Sequence, residues 1–130
     1  MDWKYVKPIA SKEIINEFER NFNYKFPDDY KECAINYNGG RPKVKVFDTT
    51  TTKEREIKSL LSFNRDDPET IWNVNENSKE SYIVFATDSS GNLICFNKSD
   101  NTIIFVDHET RSVEKVSDDF TSFINSLYSI

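Results

Sequence analysis

Glycine is scarce in this chain, with three residues in 130: Gly39, Gly40 and Gly91. Neither G-x-x-x-x-G-K-[ST] nor G-x-G-x-x-G occurs, which excludes the loops that wrap nucleotide phosphates in backbone N–H groups. Histidine is scarcer still, and a lone His108 rules out a histidine-rich metal centre. The two cysteines, Cys33 and Cys95, lie in apolar patterns and not in a C-x-x-C spacing, so a reduced, cytoplasmic protein is expected in place of a disulfide scaffold. No apolar run reaches the length of a membrane span, and the opening MDWKYVKPIASKE lacks the apolar stretch of a signal peptide.

Aromatics and charge are plentiful. Aromatic residues make up 14% of the chain and supply the large buried surfaces that a disordered chain with 30% charged residues would lack. The length suits one domain over residues 1–130. The net charge of -5 is uneven: residues 1–60 carry 12 Lys+Arg against 10 Asp+Glu, and residues 61–130 carry 5 against 12, so the halves differ as +2 and -7. Nucleic acid needs a cationic field, and the two short basic clusters, Arg41/Lys43/Lys45 and Lys53/Arg55/Lys58, read instead as a solvated edge strand and loop.

Periodicity sets the order of elements. Ile14, Ile15, Phe18 and Phe22 fall on one helical face after a capping Ser11. A second helix is predicted from about Pro27 to Tyr37, with Asp28 and Asp29 at its positive end and Gly39–Gly40 as a left-handed stop. A glycine pair that ends a helix faces carbonyls and repels phosphate. Val44, Val46 and Phe47 then predict a short strand, and IKSLLSF another. In RDDPETIWNV, Asp67 is expected to cap a short helix with Pro68 at its first position, Glu69 in its first turn and Trp72 as either core or an interface anchor. From residue 82, β-rich segments alternate with DSSGN, KSDN and DHETRS, the pattern of a four-stranded antiparallel meander. Ser117 or Asp118 should cap a closing helix bearing Phe120, Phe123, Ile124, Leu127 and Tyr128. The expected fold is α+β: two N-terminal helices, a mostly antiparallel sheet of about five or six strands, and a C-terminal helix packed on it.

The segments FPDDYKECAINYNGG, IVFATDSSGNLICF, VDHE and VSDDFTSFINSL, in that order and spacing, resemble the SUKH superfamily in its branch named after yeast cell-wall-assembly regulators (Smi/Knr-like). Tyr30, Asn38, Gly39, Gly40, Asp88, Gly91 and Phe120 match its recurring positions. The resemblance implies an α+β domain that acts by protein binding. Many bacterial members are immunity proteins that neutralise a co-encoded polymorphic or contact-dependent toxin, and the fungal relatives are regulatory scaffolds.

The residues themselves suggest no enzyme and no cofactor. Asp107, His108 and Glu109 adjoin in a turn where their side chains need not converge on one ion, and both cysteines sit where a thiol stays protonated. Paired carboxylates at Asp66/Asp67 and Asp118/Asp119 read as helix caps. An acidic protein finds a basic cleft quickly, so the implied partner is a cognate protein toxin, with a basic nuclease as the class that fits, and not nucleic acid or membrane. The candidate partner-facing residues, taken as exposed near turns, are Asp66, Asp67, Glu69, Asp88 and Glu109, with Trp72 as apolar anchor; Asp88 fits turn chemistry as well. A regulatory scaffold unconnected with toxins is the alternative. Since neither metal nor disulfide is expected to hold the fold, thermal unfolding should be unchanged by EDTA and by reductant, and a lower midpoint with either would contradict this.

Overall fold

The computed structural model describes residues 1–76 and 80–130. In chain order the elements are β1 (Trp3–Lys4), α1 (Glu13–Phe22), α2 (Asp28–Tyr37), β2 (Arg41–Pro42), β3 (Val46–Phe47), β4 (Arg55–Leu60), α3 (Ile71–Asn75), β5 (Tyr82–Asp88), β6 (Leu93–Asn97), β7 (Ile103–Val106), β8 (Val113–Ser117) and α4 (Phe120–Ser126). Strands β3 to β8 form a six-stranded sheet in sequence order, every pair antiparallel, and β1 pairs with β2 in a separate ribbon. The α+β expectation holds, with two helices before the sheet and one after it. No helix among the described residues is long and apolar enough to cross a membrane.

Three predicted caps are corrected. Ser11 lies one residue before the N-cap of α1, Lys12, although its hydroxyl still accepts the Glu13 N–H. Asp67 does not cap α3, because its carboxylate is taken by the Ser62 hydroxyl at 2.5 Å. The cap is Thr70, in extended backbone, whose side chain accepts the Asn73 N–H, so Pro68 and Glu69 precede the helix. At the C-terminal helix, Ser117 remains paired to Ile103 in β8, and Asp119, in extended backbone, accepts the Ser122 N–H. Tyr128 lies past α4 and exchanges both backbone hydrogen bonds with Val46.

That last pairing closes the curl of the sheet. The Thr51 hydroxyl in the β3–β4 loop donates to Glu114 of β8 at 2.6 Å, and the Phe47 ring of β3 meets those of Phe105 and Phe123. On the other side of β5, pairing with β4 stops near Phe85. There Asn75 of α3 takes over: its amide accepts the Val84 N–H and donates to the Val84 carbonyl, both at 3.0 Å. One side chain thus makes the two bonds that a neighbouring strand would have made.

The core is aromatic and centred on Tyr30. Its ring, fully buried, meets those of Phe26, Phe63, Phe85, Phe96 and Phe120 at 4.8 to 6.4 Å. Its hydroxyl has no hydrogen-bond partner, so burial drives its pKa well above the usual value. A buried hydroxyl without a partner costs stability, whereas the ring contributes it. Tyr30→Phe should therefore raise the urea midpoint, by about 1 kcal/mol of stability, and Tyr30→Ala should lose about 3–5 kcal/mol. A lower midpoint for Tyr30→Phe would show that the hydroxyl is satisfied after all.

The two helix-stop glycines are needed for different reasons. Gly39 has φ +67, as a left-handed stop requires, but Gly40 does not; a Cβ there would stand 2.7 Å from the Tyr37 carbonyl oxygen. Gly39→Ala should cost about 1 kcal/mol through backbone strain, and Gly40→Ala about 1–3 kcal/mol through the clash. Two variants unfolding at the wild-type midpoint would refute this.

Candidate functional site

The segment after β4 builds the site. Backbone bonds join Ser62 to Glu69 and Ile71, so residues 62 to 70 form a closed loop whose crest is Pro68–Glu69. The loop is pinned from inside by Ser62: its hydroxyl donates to Asp67 and accepts from the Asn38 side-chain amide at 2.9 Å and the Asn64 N–H at 3.0 Å. One proton and two lone pairs are then all in use. Asn38 is buried and spends its amide in the same way. Its Nδ2 donates to the Lys7 carbonyl and to Ser62, and its Oδ1 accepts the Phe63 N–H at 2.9 Å.

Two clefts flank the Pro68–Glu69 crest. One, of about 290 Å³, lies toward the N-terminal ribbon and is lined by Tyr5, Lys7, Gly39, Arg41, Ser59 and Leu60 among others. The second, of about 250 Å³, lies toward the β5–β6 turn and includes Lys58, Asn73, Val74, Thr87 and Asp88. Glu69 belongs to both and pairs with Lys58. Val74 is 39% exposed and gives the second cleft an apolar lip.

The six predicted partner-facing residues divide sharply. Asp66, Glu69 and Glu109 are exposed, and Asp67 is half-buried beneath its serine. Asp88 is buried, contrary to expectation. Its Oδ1 accepts the N–H groups of Ser90 and Asn92, its Oδ2 accepts from the Asn92 side chain, and Arg55 stands 3.6 Å away with its guanidinium over the Phe105 ring. It holds the hairpin turn together and presents almost no surface. Trp72 is buried too, its indole N–H donating to the Phe63 carbonyl and its ring stacked beneath Arg65 at 3.5 Å. Of the two readings of Trp72, core and interface anchor, its burial agrees with core.

The structure joins Asp88 to His108 through Asn92. Asn92 Oδ1 accepts the His108 N–H and lies 2.8 Å from His108 Nδ1, so that nitrogen carries the proton while Nε2 faces Glu109 at 3.7 Å. This relay ties the β5–β6 and β7–β8 turns. The Cys33 thiol is pushed up to about 12, chiefly by burial, and burial raises Cys95 further, so neither is a thiolate near neutral pH. No group of three or more His, Cys, Asp or Glu among the described residues is placed to hold a metal ion.

Sequence reasoning missed Asn38, Ser59, Val74 and Asn75. The asparagine before a glycine pair reads as a helix stop, and nothing in its neighbours signals bonds to residues 31 and 25 positions away. Val74 is an ordinary apolar residue of RDDPETIWNV in sequence, but the helix is only five residues long and leaves it exposed.

No curated protein and no solved structure gives a significant match to the chain. One family model matches, described as the SMI1 / KNR4 family (SUKH-1), over residues 9–126. That span runs from just after the segment clamped by Asn38, through the crest and the second cleft, to the end of α4, and so this chain belongs to the SMI1/KNR4 family (SUKH-1).

Proposed function

We propose that this protein is an immunity-type binding protein that neutralises a cognate toxin domain by covering its active cleft, acting in the cytoplasm by occupancy and without turnover. Membership of the SUKH-1 family carries the reading. Three features support it. The second half of the chain has a formal charge of -7, and Asp66, Glu69 and Glu109 present carboxylates to solvent. Lys58 and Val74 flank the crest, so a partner seated on the second cleft meets an ion pair and an apolar lip in one place. The buried aromatic core and the relay between turns hold these loops in fixed positions, which lowers the ordering cost of binding. The toxin is expected to carry a basic cleft, as a nuclease would.

The test needs the partner encoded beside this gene, co-expressed and purified. Replacing Asp66 and Glu109 together by lysine should slow association about ten-fold at low salt and flatten its salt dependence, because steering follows the opposed fields. Truncating Val74 to alanine should mainly speed dissociation. Unchanged rates and salt slope for the double reversal, with circular dichroism showing folded protein, would remove the electrostatic reading. A neighbouring gene that encodes no toxin would favour a regulatory scaffold.

A further inference from the structure

The cleft on the ribbon side of the crest has chemistry opposite to that of the acidic half. Lys7 and Arg41 line it, and neither has a carboxylate within ion-pair distance among the described residues. Both residues are held at the backbone. The backbone of Lys7 is clamped to Asn38 by the Lys7 N–H to the Asn38 carbonyl at 2.8 Å and the Asn38 amide to the Lys7 carbonyl at 2.7 Å. Its aliphatic stem lies along Gly39, where an added Cβ would touch it at 3.4 Å. Arg41 is fixed by the pairing of β2 with β1, and its guanidinium rests over the Tyr5 ring at 5.4 Å. Tyr5 is itself 70% exposed, an aromatic plate at the cleft mouth. Deeper in the cleft stands Ser59, a residue only 7% exposed whose hydroxyl makes no hydrogen bond within the protein and stays open to the cleft. Two cations without carboxylate partners and an open hydroxyl thus converge on one cleft.

We propose that this cleft receives one acidic side chain, a glutamate or aspartate of a partner protein, with the carboxylate between Lys7 and Arg41 and accepting the Ser59 hydroxyl. Glu69 also lines the cleft but is paired with Lys58, so Lys7 and Arg41 leave the cleft net positive, a field that favours an anion. Size and walls decide its class. At about 290 Å³ the cleft is at the lower limit of small-molecule pockets, and Leu60, Pro68 and the Tyr5 ring offer apolar walls to the methylenes of one side chain. The site goes beyond the toxin reading, since it would serve any partner with a protruding carboxylate.

The test uses ¹⁵N-labelled full-length protein titrated with the peptides acetyl-Ala-Glu-Ala-amide and acetyl-Ala-Gln-Ala-amide, and separately with inorganic phosphate. The glutamate peptide should shift the amides of Lys7, Gly39, Arg41 and Ser59 saturably, and the glutamine peptide should bind about ten-fold more weakly or worse. Arg41→Ala and Ser59→Ala should each weaken the glutamate peptide by about ten-fold, Ser59→Thr should restore it, and Glu69→Gln should tighten it. Any of three results overturns the proposal: no saturable shift at these amides up to the solubility limit, equal binding of the two peptides, or phosphate binding more tightly than the glutamate peptide. Spectra of the variants without peptide verify the fold, so a lost response cannot be mistaken for unfolding.

Discussion

The side-chain amide of Asn38 is the constraint on which the architecture of the site rests. It stands at the end of α2, fully enclosed, and bonds the N-terminal segment at Lys7, the loop at Ser62 and the chain just past β4 at Phe63. The end of α2 is thereby tied to two segments far from it in sequence, around Lys7 and around Ser62–Phe63. An apolar residue of the same volume would leave the buried Phe63 N–H without this partner, and there the loss costs far more than it would in water. Because Ser62 is part of the same network, the crest that separates the two clefts inherits its position from this one amide.

Apolar spacing made most of the fold legible. Both N-terminal helices, the meander from β5 to β8 and the closing helix follow from it, because each element buries one face against a common aromatic core. Caps were less legible, for a reason that Asp67 makes plain. Local sequence offers several oxygens near each helix start, and tertiary contacts decide which are free: Ser62 claims Asp67, so Thr70 caps α3. The β1–β2 ribbon was illegible for a different reason. Two residues on each side show no period, and their pairing depends on the glycine stop having turned the chain back along Trp3 and Lys4.

Candidate surface residues divided along similar lines. Asp66 and Glu109 lie where turn composition placed them, in solvent. Asp88 was misjudged as exposed because an aspartate that opens a turn looks the same in sequence whether its carboxylate faces water or folds back onto the turn's own N–H groups, as it does here. The ribbon-side cleft drew no notice, since Lys7, Arg41 and Ser59 come from three separate segments and one of them is a serine with ordinary neighbours. What marks it is the convergence of two cations and an open hydroxyl, a property that exists only once the chain has folded.

Asn75 carries a consequence for the behaviour of the protein in a crowded solution. A strand that loses its neighbour halfway along leaves donors and acceptors open to any other extended chain, and such edges seed aggregation. By saturating both polar groups of Val84 with a single side chain, α3 withdraws that stretch of β5 from intermolecular pairing without spending a further strand on it. Asn75 thus acts as a gatekeeper against self-association, at the end of the same short helix that borders the second cleft.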